Sequence, residues 1–146
     1  MKTVNVYLNF NGDCQEAFNF YKSVLSGEFT YVGKYSEMPP QKGMPPIPDN
    51  EKNKIMHISL PISKETALMG SDSLKSFGPA VIAGNNFSIS INTDTKDEAK
   101  RIFKGLSDGG KITMPLEKTF WADYFGMLTD KFGINWMVNV DSNEKK

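Results

Sequence analysis

The side chains of this 146-residue sequence that could do chemistry are few. His57 is the single histidine. An imidazole titrates near neutrality, with an unperturbed pKa of about 6.5, so it can serve as a general acid or base or as a donor that orients a ligand. The plainer alternative is a structural histidine hydrogen-bonded beside Ser59, and the sequence reveals no group that would orient the ring for catalysis. Cys14 is the single cysteine. That excludes an intramolecular disulfide and any CxxC metal or redox site, while one histidine excludes an HExxH motif. Cys14 stands at the start of an expected helix, where a thiol pKa can fall, but it is not read as a nucleophile. Asp72 and Asp123 are acidic groups suited to a base or a cation ligand, or to simple solvation in loops, which is the expected role. Phe120, Trp121, Tyr124 and Phe125 cluster before a strand. Trp121 and Tyr124 combine an apolar ring with a polar tip, the combination that suits ligand contact.

The background against which these residues act is neutral. Seventeen basic and seventeen acidic residues cancel, which removes the simplest argument for a nucleic-acid partner. No apolar run approaches the roughly 20 residues of a membrane span. The opening MKTVNVYLNF alternates too early for a signal peptide, so a cytoplasmic location is expected. A 39% hydrophobic content with 12% aromatics is enough for a packed core, and the length suggests one domain.

The elements that must position these residues follow from periodicity. Val4, Val6, Leu8 and Phe10 alternate with polar neighbours and predict a strand. A helix is predicted from Asp13 as N-cap, with Glu16 three residues on as in a capping box, and Ala17, Phe20, Tyr21, Val24 and Leu25 on one face. Residues 29–35 predict a second strand. Residues 38–53 hold five of the eight prolines and predict a loop, either merely exposed or a lid over a site. Residues 55–62 predict a strand and residues 66–71 its hairpin partner. After a connector, Phe87, Ile89 and Ile91 alternate again, and Thr95 with Glu98 forms a capping box for a helix carrying Ala99, Ile102, Phe103 and Leu106. Residues 111–116, 123–129 and 134–140 predict three final strands, the last burying Trp136.

The order β-α-β-β-β therefore occurs twice, and the halves can be superposed. Glu16, Ala17, Tyr21 and Lys22 align with Glu98, Ala99, Phe103 and Lys104 at an offset of 82. Val6, Leu8 and Phe10 align with Phe87, Ile89 and Ile91 at 81, and Met56, Ile58 and Leu60 with Trp136, Val138 and Val140 at 80. The expectation is a single α+β domain spanning 1–146, with module one over about 1–72, a connector over 73–85, module two over 86–141 and a solvated tail at 142–146. One face of each strand set is apolar. The other carries Asn5, Tyr7, Asn9, His57, Ser59, Asn86, Ser88, Ser90, Asn135, Met137 and Asn139. That face is too polar for a dry core and too uncharged for a typical solvated surface, which suggests a semi-polar cleft, with an ordinary solvent-facing sheet as the alternative.

YLNFNGDCQEAFNFYKSVL at 7–25, MHISLPI at 56–62, LMGSD at 68–72 and FWADYFGMLTDKFGINWMV at 120–138 together resemble the PhnB-like branch of the vicinal oxygen chelate superfamily, which includes glyoxalases, bleomycin-resistance proteins and extradiol dioxygenases. The resemblance implies two βαβββ modules whose curved mixed sheets enclose a cleft, with helices on the outer face, and often a homodimer. It also implies metal-ligand positions, two per module, at Asn5 and His57 and at Asn86 and Met137. Only the imidazole among these is a strong ligand for zinc, nickel or iron, amides being weak ligands and thioethers preferring soft ions. No tightly held metal and no cofactor is therefore expected. Some members carry a ubiquinone-linked methyltransferase label, but the sequence has no glycine-rich strand–turn–helix suited to S-adenosylmethionine. The expected function is small-molecule binding in a metal-free cleft lined by Asn5, Tyr7, His57, Ser59, Asn86, Trp121, Tyr124 and Met137. The alternatives are a small-molecule enzyme of the superfamily's lyase, isomerase or oxygenase type using His57, and a non-catalytic dimeric scaffold.

Overall fold

The computed structural model describes residues 1–141; the tail expected over 142–146 lies outside the described residues. The chain forms two compact units, Met1–Ile82 and a second from Ala83 onward. Each has one helix and one four-stranded mixed sheet, which gives the α+β class with the βαβββ order in both.

In the first unit, β1 (Val6–Phe10) leads through a tight turn into α1 (Cys14–Leu25), followed by β2 (Tyr31–Lys34), β3 (Ile55–Pro61) and β4 (Ala67–Asp72). The sheet order is β1-β4-β3-β2, with β1 parallel to β4 and the other pairs antiparallel. α1 buries Ala17, Phe18, Tyr21 and Val24 against a sheet face made by Leu8, Phe10, Ile58, Leu60 and Leu68. Burial of each large apolar side chain contributes about 1.5–3 kcal/mol. Gly70 belongs to this face because a Cβ there would stand 2.8 Å from the Phe18 ring and from the Leu8 carbonyl oxygen.

The start of α1 departs from expectation. Asp13 makes no side-chain cap, so the Asp13–Glu16 capping box does not form. The capping carboxylate comes instead from the end of β4: Asp72 Oδ1 accepts the Gly12 and Cys14 amides at 2.9 and 3.0 Å, and Oδ2 accepts the Ile55 amide at 2.9 Å. Asp72 is buried, which corrects its reading as a solvated loop carboxylate. Three charge-assisted bonds compensate the cost of that burial.

In the second unit, β5 (Ile89–Thr93), α2 (Lys96–Ser107), β6 (Lys111–Glu117), β7 (Tyr124–Thr129) and β8 (Asn135–Val140) form a sheet of order β5-β8-β7-β6. Here the capping residue expected from sequence is used: Thr95 Oγ1 accepts the Glu98 amide at 3.2 Å. Ala99, Ile102, Phe103 and Leu106 are the buried face of α2, packed with Leu128, Trp136, Val138 and Val140. Trp136 is fully buried, and its indole N–H donates to Asp130 Oδ2 at 2.9 Å. Asp130 Oδ1 meanwhile accepts the Phe132 and Ile134 amides, closing the β7–β8 turn.

The internal repeat is present, but only its helix alignment at 82 is kept: by register Val6 corresponds to Ile89, an offset of 83 and not 81, and the alignment at 80 joins non-equivalent strands. β3, which holds Met56, Ile58 and Leu60, is an inner strand paired with β2 and β4, whereas β8, which holds Trp136, Val138 and Val140, pairs in parallel with β5. The counterpart of β8 is β4, and that of β3 is β7. An apolar-alternating strand looks the same whichever neighbour it has, so periodicity could not separate them. The first and fifth strands also each begin two residues later than expected, at Val6 and Ile89. Asn5 Oδ1 accepts the Ala67 amide ahead of β1. Ahead of β5, the Asn135 amide donates to the Gly84 and Phe87 carbonyls. In both places a side-chain amide takes backbone bonds where strand had been expected. Residues 38–53 contain no strand; they follow a short 3-10 turn at Tyr35–Glu37 and include a second at Asp49–Glu51.

Candidate functional site

Each unit has a sheet face turned away from its own helix. In the first unit the register aligns Tyr7, Met69, Ser59 and Tyr31 side by side across the four strands. Asn9 and Ser71 stand on the same face two residues further along β1 and β4, and His57 stands beside Gly33. The sequence builds this row by placing polar or aromatic residues at alternate positions while Leu8, Ile58 and Leu68 point to α1.

The imidazole stands at the next same-face position along β3 from this row, and both tyrosines reach it. Tyr7 Oη and His57 Nδ1 are 3.2 Å apart. The Tyr7 ring stacks on the imidazole with centroids 5.6 Å apart and planes inclined by 28°, and Tyr31 approaches at 5.7 Å and 44°. His57 thus has the orienting partner that sequence reasoning could not name. Tyr31 was missed altogether. Its ring reaches His57 by lying over Gly33, where a Cβ would be 2.7 Å from the Tyr31 ring and hydroxyl. The sequence signal was there as Tyr-x-Gly on the strand paired to His57. Both tyrosines are nearly half exposed, at 45% and 47%, so the cluster is open.

A cavity of about 560 Å³ begins at Asn9 and Ser71 and is walled by Tyr35, Leu74 and Phe77. The Tyr35 hydroxyl donates to the Asp72 carbonyl at 2.8 Å. Burial, then the Asp72 carboxylate, push the Tyr35 phenol above its ordinary pKa. A second cavity, of about 350 Å³, lies inside the proline-rich loop among Met38, Pro39, Met44 and Ile47. Cys14 is fully buried, and burial followed by Asp72 and Asp13 raises its thiol far above the usual range, which makes it inert.

The other residues expected at the site are placed differently. Asn5 precedes β1 and is committed to Thr3 and Ala67. Asn86 precedes β5 and is exposed. Met137 does occupy the helix-free face of the second sheet, in a row with Ser90, Met127 and Met114. That row corresponds to Tyr7, Met69, Ser59 and Tyr31, so the counterpart of Met137 is Met69 and that of His57 is Phe125. Trp121 packs edge-on against Phe125 at 5.6 Å and against Phe120 at 4.8 Å, and is 57% exposed. Tyr124 lies on the opposite side of its sheet. It pairs in register with buried Val140 and sits under Lys96 and Lys100 of α2 at 5.1 and 5.5 Å, so it does not share a face with Met137.

The four metal-ligand positions implied by resemblance therefore do not fit a transition-metal site. Two are outside strands, two are on non-equivalent strands, and His57 is the sole strong donor among them. Among the described residues no three His, Cys, Asp or Glu side chains come together. No helix among them is long and apolar enough to cross a membrane.

Comparison with known proteins extends these observations. A protein-family description, 3-demethylubiquinone-9 3-methyltransferase, matches residues 2–139. Protein YjdN of Escherichia coli is 35% identical over 139 residues, covering 92% of both chains. Protein PA1353 of Pseudomonas aeruginosa superposes with a TM-score of 0.82 at 41% identity, over 97% of this chain and 98% of that one. A PhnB protein of Bacillus cereus, described as a putative 3-demethylubiquinone-9 3-methyltransferase, superposes at 0.72 with 25% identity, over 94% and 98%. A glyoxalase/bleomycin resistance protein/dioxygenase domain of a Frankia species shares the fold at 8% identity, with a TM-score of 0.63 over 98% and 92%.

Proposed function

The chain belongs to the PhnB-like family described as 3-demethylubiquinone-9 3-methyltransferase, and from that premise we propose that it binds a small molecule, without a metal, on the helix-free face of its first sheet. The observation that carries this reading is the Tyr7–His57–Tyr31 cluster. Three aromatic rings held together on an open sheet face, beside a cavity, supply flat apolar contact and a hydrogen-bonding edge at one place. A solvated sheet face has no need of either.

The family's description names a methyltransferase, but the β1–α1 turn of the first unit offers no cradle for the methyl donor. The β1–α1 turn, Asn11-Gly12-Asp13, has one glycine, and the Gly12 and Cys14 amides are already bound to Asp72. The residues there do not fit S-adenosylmethionine. A thermal-shift screen with aromatic and carbonyl metabolites tests the binding reading. A stabilising compound is expected to lose its effect in His57→Ala and Tyr31→Ala. Absence of any stabilising compound, or shifts that both variants retain, would count against the site.

A second reading is favoured by one contact. The phenol of Tyr7 on Nδ1 of His57 is the orienting partner that an acid–base histidine requires. On that reading a bound carbonyl compound is turned over with His57 moving the proton, and Tyr7→Phe lowers kcat more than it raises KM.

A further inference from the structure

Resting on that binding reading, we infer that the site selects a neutral ligand with a carbonyl-type acceptor oxygen on an apolar, flat body, because the Tyr7–His57 pair presents Nε2–H of His57 as the donor on the open sheet face. The argument starts from the shared proton. Tyr7 Oη and His57 Nδ1 are 3.2 Å apart, and either could donate. A phenol is a stronger acid than a neutral imidazole N–H, and an imidazole nitrogen is a stronger acceptor than a phenol oxygen. The favoured arrangement therefore has Tyr7 O–H donating to an unprotonated Nδ1. A neutral imidazole carries one ring proton, so that proton is on Nε2.

Nε2 has no protein partner among the described residues. Tyr7 and Tyr31 flank the ring, and Met69 and Ser59 stand between the tyrosines in the same row. Neither this row nor Asn9, Ser71 and Gly33 on the same face beside His57 carries a charged side chain. A carboxylate would thus meet one neutral donor and no cation, whereas a ketone, aldehyde or quinone-like oxygen is matched by that donor while its body lies against the tyrosine rings and Met69. In the second unit the position corresponding to His57 is Phe125, beside the row Ser90, Met137, Met127 and Met114, so the polarity belongs to the first unit alone.

Because the chain has one histidine, labelling histidine with nitrogen-15 gives a single imidazole to observe in the full chain. The expected spectrum at neutral pH shows the proton on Nε2 and a bare Nδ1, and Tyr7→Phe weakens that preference. The binding probes are acetophenone and ethylbenzene, which match in shape and differ in the oxygen. Acetophenone is expected to bind about five-fold more tightly than ethylbenzene, the effect of one net hydrogen bond, and to shift the Nε2–H resonance. The discrimination is expected to vanish in His57→Ala and to shrink in Tyr7→Phe, which keeps the ring and should preserve the fold. A proton found on Nδ1, or equal binding of the two probes while the tyrosine resonances respond to both, overturns the polarity and leaves the binding face standing. If neither probe disturbs Tyr7, Tyr31 or His57, the binding face itself is wrong and the polarity falls with it.

Discussion

Asp72 shows how far one side chain can reach. Its two oxygens hold amides from the β1–α1 turn, the first residue of α1 and the start of β3, so one buried carboxylate joins segments 60, 58 and 17 residues away in sequence. Removing it leaves buried N–H groups unpaired, and charge-assisted bonds of this kind are individually worth about 1.5–3 kcal/mol. Asp72→Ala is expected to destabilise the chain by roughly 3 kcal/mol, given that some of the amides will recover water. Asp72→Asn keeps the shape but turns an N–H₂ towards one of the donors, and is expected to cost about 2 kcal/mol. Urea midpoints of the two variants check the order. If the asparagine variant were as stable as the parent, the carboxylate's role as a shared cap would be wrong. None of this was legible in LMGSD, because the three donors are distant in the chain and only the fold brings them to one oxygen pair.

Among the elements, β2 is where the sequence was least informative and the site most dependent. Gly33 gives the Tyr31 ring room to lie across the strand onto His57. Gly33→Ala would place a methyl group 2.7 Å from that ring, and the ring, being a mobile side chain, is the part that gives way. The expected outcome is a change in stability within about 1 kcal/mol, loss of the Tyr31–His57 contact in nuclear Overhauser spectra, and weaker ligand binding. A stability loss several times larger would mean that the strand, not the ring, had moved. The helices were far more legible. α2 appears at its expected cap with its four expected core residues, because a 3.6-residue stripe and a local cap are both written within a dozen positions. Strand partners are not written locally. Alternation identified β3, β4, β7 and β8 but not that β4 and β8 are the strands parallel to β1 and β5, which is why His57 and Met137 were set opposite each other in error. Tyr124 fell on the wrong face for a related reason: neighbouring aromatic residues of opposite parity cannot both be assigned from ring chemistry alone.

At the scale of the whole molecule, the two groups whose pKa values burial raises, Cys14 and Tyr35, make stability fall as pH rises through the alkaline range. Cys14 and Tyr35 are neutral acids whose pKa values are raised from 9.0 and 10.0, chiefly by burial and then by Asp72. In the unfolded chain they ionise at their ordinary values, while in the folded chain they keep their protons. Above the unfolded pKa the unfolded state therefore binds fewer protons than the native state, and the slope of unfolding free energy against pH is negative. The stabilisation tied to these two groups is complete below pH 9.0, begins to fall there as the unfolded chain's Cys14 ionises, and falls further once Tyr35 does so near 10.0. A fully shifted thiol contributes a limiting slope of about 1.4 kcal/mol per pH unit; Tyr35, being partly open to solvent, contributes less. Urea midpoints are thus expected to stay level from about pH 7 to 8.5 and to drop between about pH 9 and 11. Cys14→Ala should cost roughly 1 kcal/mol at neutral pH through the lost packing of the sulfur, yet should flatten the alkaline decline, so that the variant and the parent converge as pH rises. A thiol reagent at mildly alkaline pH is expected to modify the parent slowly, since Cys14 is fully buried in the folded chain. Parallel alkaline slopes in parent and variant would show that Cys14 is not the group that releases the proton.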